Sequence, residues 1–215
     1  MQWWDSYRAV YGTELRAEAM VLADHGWAVV PGTFPQGDVW TGCSDAPQAG
    51  PAPVLEDWAA AATTDVGQIA EWWSGLPYSI LLPTGLTFDV IEVPASVGRR
   101  AAAALRAVGV PVPIAATPTG EWLFPVLPGE PLRPDLAGRP GMTLHGRGSY
   151  LAAPPSTFPQ GSIHWRVRPA ACGWRLPDPY SVQDAMAEAV RERPQRGLGG
   201  SSTYRLATVA TGIRS

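Results

Sequence analysis

The sequence contains no lysine: its 16 Lys and Arg residues are all arginine. This absence excludes mechanisms that need a lysine side chain, such as a Schiff base or the phosphate-binding lysine of a Walker A loop. Only two cysteines occur, Cys43 and Cys172, which is too few for a disulfide framework or a cysteine-rich zinc site. The formal net charge is only −3, so any binding of nucleic acid requires a local basic patch.

A long hydrophobic run is also missing. No apolar stretch approaches the ~18–20 residues that span a bilayer. The first residues, MQWWDSYRAVYG, lack the basic start and apolar core of a signal peptide. We therefore expect a soluble, cytoplasmic protein that has no membrane partner.

Glycine and proline are abundant instead, with 23 of each. This composition predicts short elements joined by many turns. Hydrophobic periodicity predicts an α+β fold around a modest mixed sheet. One domain is expected over residues 1–193, with a long Gly/Pro loop at 32–57 and a disordered tail at 194–215. The predicted helices are residues 5–24, 66–73, 97–108 and 182–192, and the predicted strands are residues 27–31, 78–82, 88–93, 112–116, 122–127, 142–144, 150–153 and 163–167.

Local capping signals predict several helix boundaries. Gly26 follows the first helix at the position where a left-handed glycine commonly ends one. Asp65 is the expected N-cap of the second helix, and Ser96 that of the third. These residues predict the ends of helices from short-range chemistry alone.

Two carboxylates, Asp89 and Glu92, interrupt an otherwise apolar predicted strand. A buried carboxylate costs several kcal/mol unless it is paired or bound to a metal. Side chains alternate between the two faces of a strand, so these two residues point to opposite sides and cannot share one metal ion. The next position on the Glu92 face is Pro94, which offers no ligand atom. The alternative is that the carboxylates lie at a strand end, solvated or paired with arginine.

Arg147 lies between two glycines, in the segment His145-Gly146-Arg147-Gly148. Such a turn can present backbone amides and a guanidinium group to a phosphate. The alternative is a plain hairpin turn with a solvated arginine. His25, His145 and His164 show no metal-ligand spacing and are expected at the surface or at strand ends.

The order of the short segments resembles the N-terminal domain of bifunctional DNA primase-polymerases, in the archaeo-eukaryotic primase superfamily. The resemblance covers roughly residues 15 to 168. It is carried by HGWAVVPGTFP, ATTDVGQIAEWWSGLPYSILLPTG, FDVIEV, TPTG, GSYLAAPPS and HWRV. It implies an α/β core related to the RNA-recognition fold, fused to a smaller N-terminal α/β part.

The resemblance also implies a chemistry: active members extend primers from nucleotide triphosphates with two divalent metal ions, Mg²⁺ or Mn²⁺. The metal-binding D-x-D pair of the family aligns with Glu92 and Pro94, so one acid remains as a possible metal ligand and the other is lost. The third acid aligns near Thr143. The family histidine falls where this chain has Glu121 and Trp122. We therefore expect the fold to persist while polymerase chemistry is lost or weakened.

Three hypotheses follow. The first is a catalytically degenerate domain that binds a nucleotide or single-stranded nucleic acid near Glu92, Thr119, Gly120, Arg147 and Ser156. The second is an active DNA primase/polymerase with a rearranged site, in which Glu92, Asp89 and Glu121 hold the metal; it requires a bulge that brings Asp89 and Glu92 to one face. The third is a structural α+β protein with a closed, apolar pocket beside Glu92. Active relatives often carry a helicase-type domain, which here would be a separate partner.

Overall fold

The computed structural model describes residues 3–42 and 50–191, with the backbone alone over residues 3–9. The predictions for Cys43 and for the tail at 194–215 lie outside the described residues. Within the described ranges, no helix has the length and apolarity needed to cross a membrane.

Five α-helices and twelve short strands make up the described chain. The helices are α1 (Trp3–Asp24), α2 (Trp58–Ala61), α3 (Val66–Trp72), α4 (Ala95–Ala107) and α5 (Pro179–Arg191). The strands are β1 (Val30–Gly32), β2 (Phe34–Gln36), β3 (Val39–Thr41), β4 (Ser79–Pro83), β5 (Asp89–Pro94), β6 (Ile114–Ala116), β7 (Glu121–Val126), β8 (Thr143–His145), β9 (Tyr150–Ala152), β10 (Thr157–Phe158), β11 (Gly161–Ser162) and β12 (His164–Val167).

The main sheet has five strands in the order β12-β6-β7-β5-β8. Helix α4 connects β5 to β6 and packs closely against α5 on one face of this sheet. A second sheet of three strands, in the order β1-β4-β9, lies with α1 and α3. The α+β prediction is confirmed. The pairings in these sheets are all antiparallel, so the expected mixed sheet is replaced by antiparallel ones.

Strand β5 separates two hydrophobic cores because its side chains alternate between faces. Ile91 and Val93 are buried in the core that α4 and α5 cover. Val90 is buried in the other core, which contains side chains of α1, α3 and the three-stranded sheet. Asp89 and Glu92 therefore lie on opposite faces of β5, each on the side of a different core.

The predicted Gly/Pro loop at 32–57 contains a small hairpin, which corrects the expectation of an irregular loop. Strands β2 and β3 pair across a turn at Gly37, whose φ of +65° suits glycine. Trp40 lies edge-on to Phe158 at 5.6 Å between ring centroids, and Phe34 lies 5.9 Å from Tyr78. These distant aromatic contacts hold the hairpin, so its local sequence gives little sign of it.

Two other expectations need correction. The strands that flank the turn at 146–148 do not form a hairpin, because β8 pairs with β5 in the main sheet and β9 pairs with β4 in the smaller one. The turn instead carries the chain from one sheet to the other. Helix α4 begins at Ala95 after Pro94, so Ser96 lies inside the helix and is not its N-cap.

Candidate functional site

Glu92 forms a close pair with a histidine from the neighbouring strand. Its Oε2 lies 3.0 Å from Nε2 of His145. Both side chains are partly shielded, with 26% of Glu92 and 20% of His145 exposed. An ionised carboxylate only accepts hydrogen bonds, so Nε2 carries the hydrogen and donates it. One oxygen of the Glu92 carboxylate is thus occupied by an internal partner.

Ser149 extends this pair into a chain of three polar side chains. Its Oγ lies 3.4 Å from Nδ1 of His145, on the side of the imidazole opposite Glu92. In the tautomer that carries its hydrogen on Nε2, Nδ1 is the nitrogen that accepts the hydroxyl hydrogen of Ser149. The imidazole is therefore held at both nitrogens, which fixes its orientation against β5.

Strand register brings further side chains to the Glu92 face. Across the sheet, Glu92 lies opposite Thr143 on β8 and Leu123 on β7. Pro94, two residues along the same face, lies opposite Glu121 at the start of β7. One face of the sheet thus carries Glu92, Pro94, Thr143 and Glu121 in adjacent positions.

Glu121 is engaged by two threonines of the β6–β7 turn. Thr117 Oγ1 donates to its Oε2 at 2.6 Å, and Thr119 Oγ1 donates at 2.5 Å. Burial acts to raise the pKa of Glu121, but the two hydroxyl donors outweigh it and bring the pKa below its ordinary value of 4.5. The turn therefore stabilises an ionised Glu121 locally, and the Thr119 hydroxyl is used inside the turn.

Gly120, which the sequence analysis also places near the ligand, has a backbone role in this turn. Its φ is +109°, a conformation that favours glycine, and its carbonyl accepts the amide hydrogen of Ala95 at the first residue of α4. Gly120 thus ties the β6–β7 turn to the start of α4.

Asp89 lies on the other face of β5, as the alternation predicts. The β5–β7 register runs without interruption from Asp89 to Pro94, so no bulge turns Asp89 toward Glu92. Asp89 is only 5% exposed, and its Oδ2 accepts the amide hydrogen of Gly129 at 2.8 Å. Its Oδ1 is buried and has no hydrogen-bond partner within the described ranges. This geometry does not bring the two carboxylates of β5 to one metal ion.

The turn at 146–148 is seated on a second turn that follows β4. A Cβ added to Gly85 would lie 2.1 Å from the Cα of Arg147, so only glycine allows this backbone approach. Gly85 also has a φ of +92°. Thr84 Oγ1 donates to the carbonyl of Gly146 at 2.6 Å, and the Thr84 amide donates to the carbonyl of Ser149. The two turns therefore form one rigid unit at the junction of the sheets.

Arg147 is exposed on this unit. Within residues 10–42 and 50–191, its guanidinium makes no ion pair or hydrogen bond. The expectation that Arg147 contacts a phosphate stays a prediction.

Ser156 has an internal role, which corrects the expectation that it contacts a nucleotide. It is 0% exposed. Its Oγ accepts the amide hydrogen of Ile80 at 2.8 Å, in the strand β4. The hydroxyl satisfies a backbone group in the core, so it offers no surface to a ligand.

The chain was compared with known protein families. A model of the family described as bifunctional DNA primase/polymerase, N-terminal, matches residues 19–189. The chain belongs to this family. The match spans the structure from α1 to α5 and includes the whole Glu92 face. A search among curated proteins found no match.

The two divalent metal ions of a primase/polymerase site do not fit the residues present here. A two-metal mechanism needs several oxygen ligands around ions ~3.5–4 Å apart. On the Glu92 face, Pro94 has no donor atom, Thr143 offers only a hydroxyl, and Glu92 is paired with His145. Within the described ranges, no group of three or more His, Cys, Asp or Glu residues could hold a metal ion.

Sequence reasoning missed the contribution of His145. Spacing along the chain gives no sign of the pair, because Glu92 and His145 are 53 residues apart. Only the register of β8 against β5 brings them together. Alternation along β8 is the signal that could have found the pair. His145 lies two residues after Thr143, so both side chains lie on the same face of a strand that is adjacent to the Glu92 strand.

Proposed function

We propose that this primase/polymerase-family domain binds a nucleotide or single-stranded nucleic acid and does not extend primers. The observation that carries this proposal is the pairing of Glu92 with His145 on a face where the other aligned positions are Pro94 and Thr143. The side chains that would hold two metal ions are replaced or engaged, while the surrounding fold is retained.

The charge available on the Glu92 face is too small for two divalent metal ions. A two-metal site must supply enough negative charge to hold two divalent cations close together. Here the Glu92 carboxylate faces an imidazole donor at 3.0 Å. Glu121 is the other carboxylate on this face, and both threonine hydroxyls of its turn donate to it. These two carboxylates therefore favour a site without two bound metal ions over the metal site of a polymerase.

The alternative of an active, rearranged primase/polymerase has less support. It requires Asp89 and Glu92 on one side of β5, and the uninterrupted β5–β7 register keeps them on opposite sides. Moving Asp89 would also break the hydrogen bond that it accepts from the Gly129 amide, and it would expose a side chain that is now buried.

A purely structural role is favoured by one observation. Next to the Glu92 face, between the five-stranded and the three-stranded sheet, lies an apolar cavity of only about 20 Å³, lined in part by Val90, Leu123 and Trp165. Ligand pockets are typically ~300–1,000 Å³, so no nucleotide enters this space. A nucleotide would therefore bind outside this cavity, and we propose the exposed turn that carries Arg147.

Nucleotide-dependent stabilisation tests the proposal. A ligand that binds only the folded state raises the free energy of unfolding by RT ln(1 + [L]/Kd), or about 2.7 kcal/mol at a hundredfold excess over Kd. We expect millimolar deoxynucleotides to raise the melting temperature, whereas the corresponding nucleosides, which lack phosphate, have a smaller effect. An unchanged melting temperature with every nucleotide and with single-stranded oligonucleotides, both with and without Mg²⁺, would contradict the binding function and favour the structural one.

A further inference from the structure

Two adjoining turns carry exposed groups next to the Glu92 face. We name residues 83–88 the β4 turn and residues 145–149 the arginine turn. Their backbones touch, because a Cβ on Gly85 would lie 2.1 Å from the Cα and 2.2 Å from the N of Arg147. The bonds from Thr84 to Gly146 and Ser149 fix the arginine turn at both sides. A ligand meets these groups in positions that are already ordered.

The arginine turn carries hydrogen-bond donors that the protein leaves unused. The amides of Arg147 and Gly148 donate to no acceptor in the described parts of the chain. Gly148 has a φ of +82°, and successive amides in such turns can converge on an anion. The Arg147 guanidinium adds up to five N–H donors and a permanent positive charge. These groups suit the oxygens of a phosphate.

The charges around the turn favour a phosphate that comes without a divalent metal. Glu92, on the adjoining face of the sheet, accepts a hydrogen bond from His145 at one carboxylate oxygen. The other nearby carboxylate, Asp89, is 5% exposed and receives the Gly129 amide. Glu92 thus has one oxygen engaged by His145, and Asp89 is buried with its Oδ1 unpartnered among the described residues, so the exposed charge that meets the phosphate is the Arg147 guanidinium.

An exposed apolar side chain lies on the β4 turn beside this donor set. Leu86 is 71% exposed and follows Gly85, which is in contact with Arg147. An apolar surface next to a phosphate site can pack against the face of a nucleobase or a ribose. Leu86 therefore distinguishes a nucleotide from free phosphate.

We propose that the arginine turn and the β4 turn bind the phosphate monoester of a nucleotide without a divalent metal ion. The amides of Arg147 and Gly148 and the Arg147 guanidinium hold the phosphate, and Leu86 contacts the nucleoside. This inference rests on the proposed function and deepens it, since it specifies the ligand class and makes binding independent of Mg²⁺.

Calorimetric titration of the full chain with deoxyadenosine monophosphate, in buffer containing EDTA, tests the inference. We expect binding in EDTA within about twofold of that in Mg²⁺, and Arg147→Gln to weaken it by about tenfold or more, the usual effect of losing charge-assisted hydrogen bonds. Leu86→Ser is expected to weaken the nucleotide but to leave inorganic phosphate unchanged. Titration with a 5′-phosphorylated oligonucleotide and with its 5′-hydroxyl form shows whether the site binds the phosphate monoester at the end of a nucleic-acid chain.

The matched controls are Arg99→Gln and Leu76→Ser, which change exposed residues elsewhere on the fold. Both should bind like the wild type, and thermal melting should show all four variants folded. Nucleotide binding that requires Mg²⁺ and ignores Arg147→Gln would overturn this inference and leave the proposed function standing. Phosphate binding in EDTA that depends on Arg147 but shows no preference for nucleotides would support the phosphate site and contradict the nucleotide function.

Discussion

His145 Nε2 lies 3.0 Å from Glu92 Oε2, across two adjacent strands of the main sheet. The same face carries Pro94 and Thr143, the positions at which the resemblance to primase-polymerases implies metal-binding acids. A histidine hydrogen that faces the surviving acid satisfies the carboxylate without a metal ion. Under the proposed function, this face lacks the negative charge that catalysis by two metal ions requires.

Restoring acids on this face should create metal binding. The triple variant Pro94→Asp, Thr143→Asp, His145→Ala adds two carboxylates beside Glu92 and removes its partner. Because carboxylate charge sets the affinity of such sites, we expect Mn²⁺ to bind at least about tenfold more tightly than to the wild type. Electron paramagnetic resonance of free Mn²⁺ measures this directly.

The matched control for that experiment is the triple variant with asparagine in place of each new aspartate. It keeps the size and shape of the side chains but lacks their charge. Equal Mn²⁺ affinity in the aspartate and asparagine variants would show that the aligned positions do not form a metal site.

Gly98 on α4 is expected to be intolerant of a side chain. A Cβ at this position would lie 2.8 Å from the Cβ of Trp122 and 2.9 Å from its ring. Overpacking of this kind costs about 1–3 kcal/mol, which exceeds the ~0.5–1 kcal/mol that alanine gains over glycine inside a helix. Gly98→Ala should therefore lower the free energy of unfolding, measured by urea denaturation.

Gly12 on α1 gives the matched comparison for Gly98. Apart from the backbone of α1 itself, no atom of the described side chains or backbone lies within 4 Å of a Cβ added there. Gly12→Ala should raise the free energy of unfolding by about 0.5–1 kcal/mol, because only the helix preference changes. If both substitutions changed stability in the same direction, contact with Trp122 would not be the reason for glycine at position 98.

Ser156→Ala should destabilise the fold without altering ligand binding by the folded protein. The substitution leaves the buried amide of Ile80 without its acceptor, at a cost of about 1–3 kcal/mol. Ser162→Ala, at an exposed serine nearby in sequence, should have almost no effect. Loss of nucleotide affinity in folded Ser156→Ala protein would reinstate Ser156 as a ligand contact.

The threonine turn predicts a dependence of stability on pH. The pKa of Glu121 is lowered in the folded state, so its contribution is fully present above its ordinary pKa of 4.5 and is lost as the pH falls through the lower folded value. Thr119→Val removes one of the donors responsible. The difference in unfolding free energy between wild type and variant should be largest near neutral pH and shrink below about pH 4. A difference that stays constant down to pH 3 would assign the effect to packing.

Local signals predicted much of the secondary structure. Asp65 caps α3 by accepting the Gln68 amide at 2.9 Å, as its position indicates. Gly26 has a φ of +81° just beyond α1. The two faces of β5 follow directly from alternation. Capping and alternation depend on neighbours within a few residues, so the sequence alone contains the necessary information.

The features that the sequence did not predict depend on distant contacts. The β2–β3 hairpin is held by aromatic packing such as Trp40 on Phe158. The arginine turn joins two sheets because β8 and β9 find different partners. The Glu92–His145 pair requires the register of β8. Strand pairing over tens of residues is set by the whole core, so it cannot be derived from spacing along the chain.

Primer extension on a single-stranded template tests the central claim most directly. Wild-type protein and Glu92→Ala would be assayed side by side with deoxynucleotide triphosphates, in Mg²⁺ and in Mn²⁺, after melting curves have shown both to be folded. The account predicts no extended product from either protein with either metal ion. Product from the wild type that is abolished in Glu92→Ala would contradict it, because Glu92 would then hold a working metal site despite its pairing with His145.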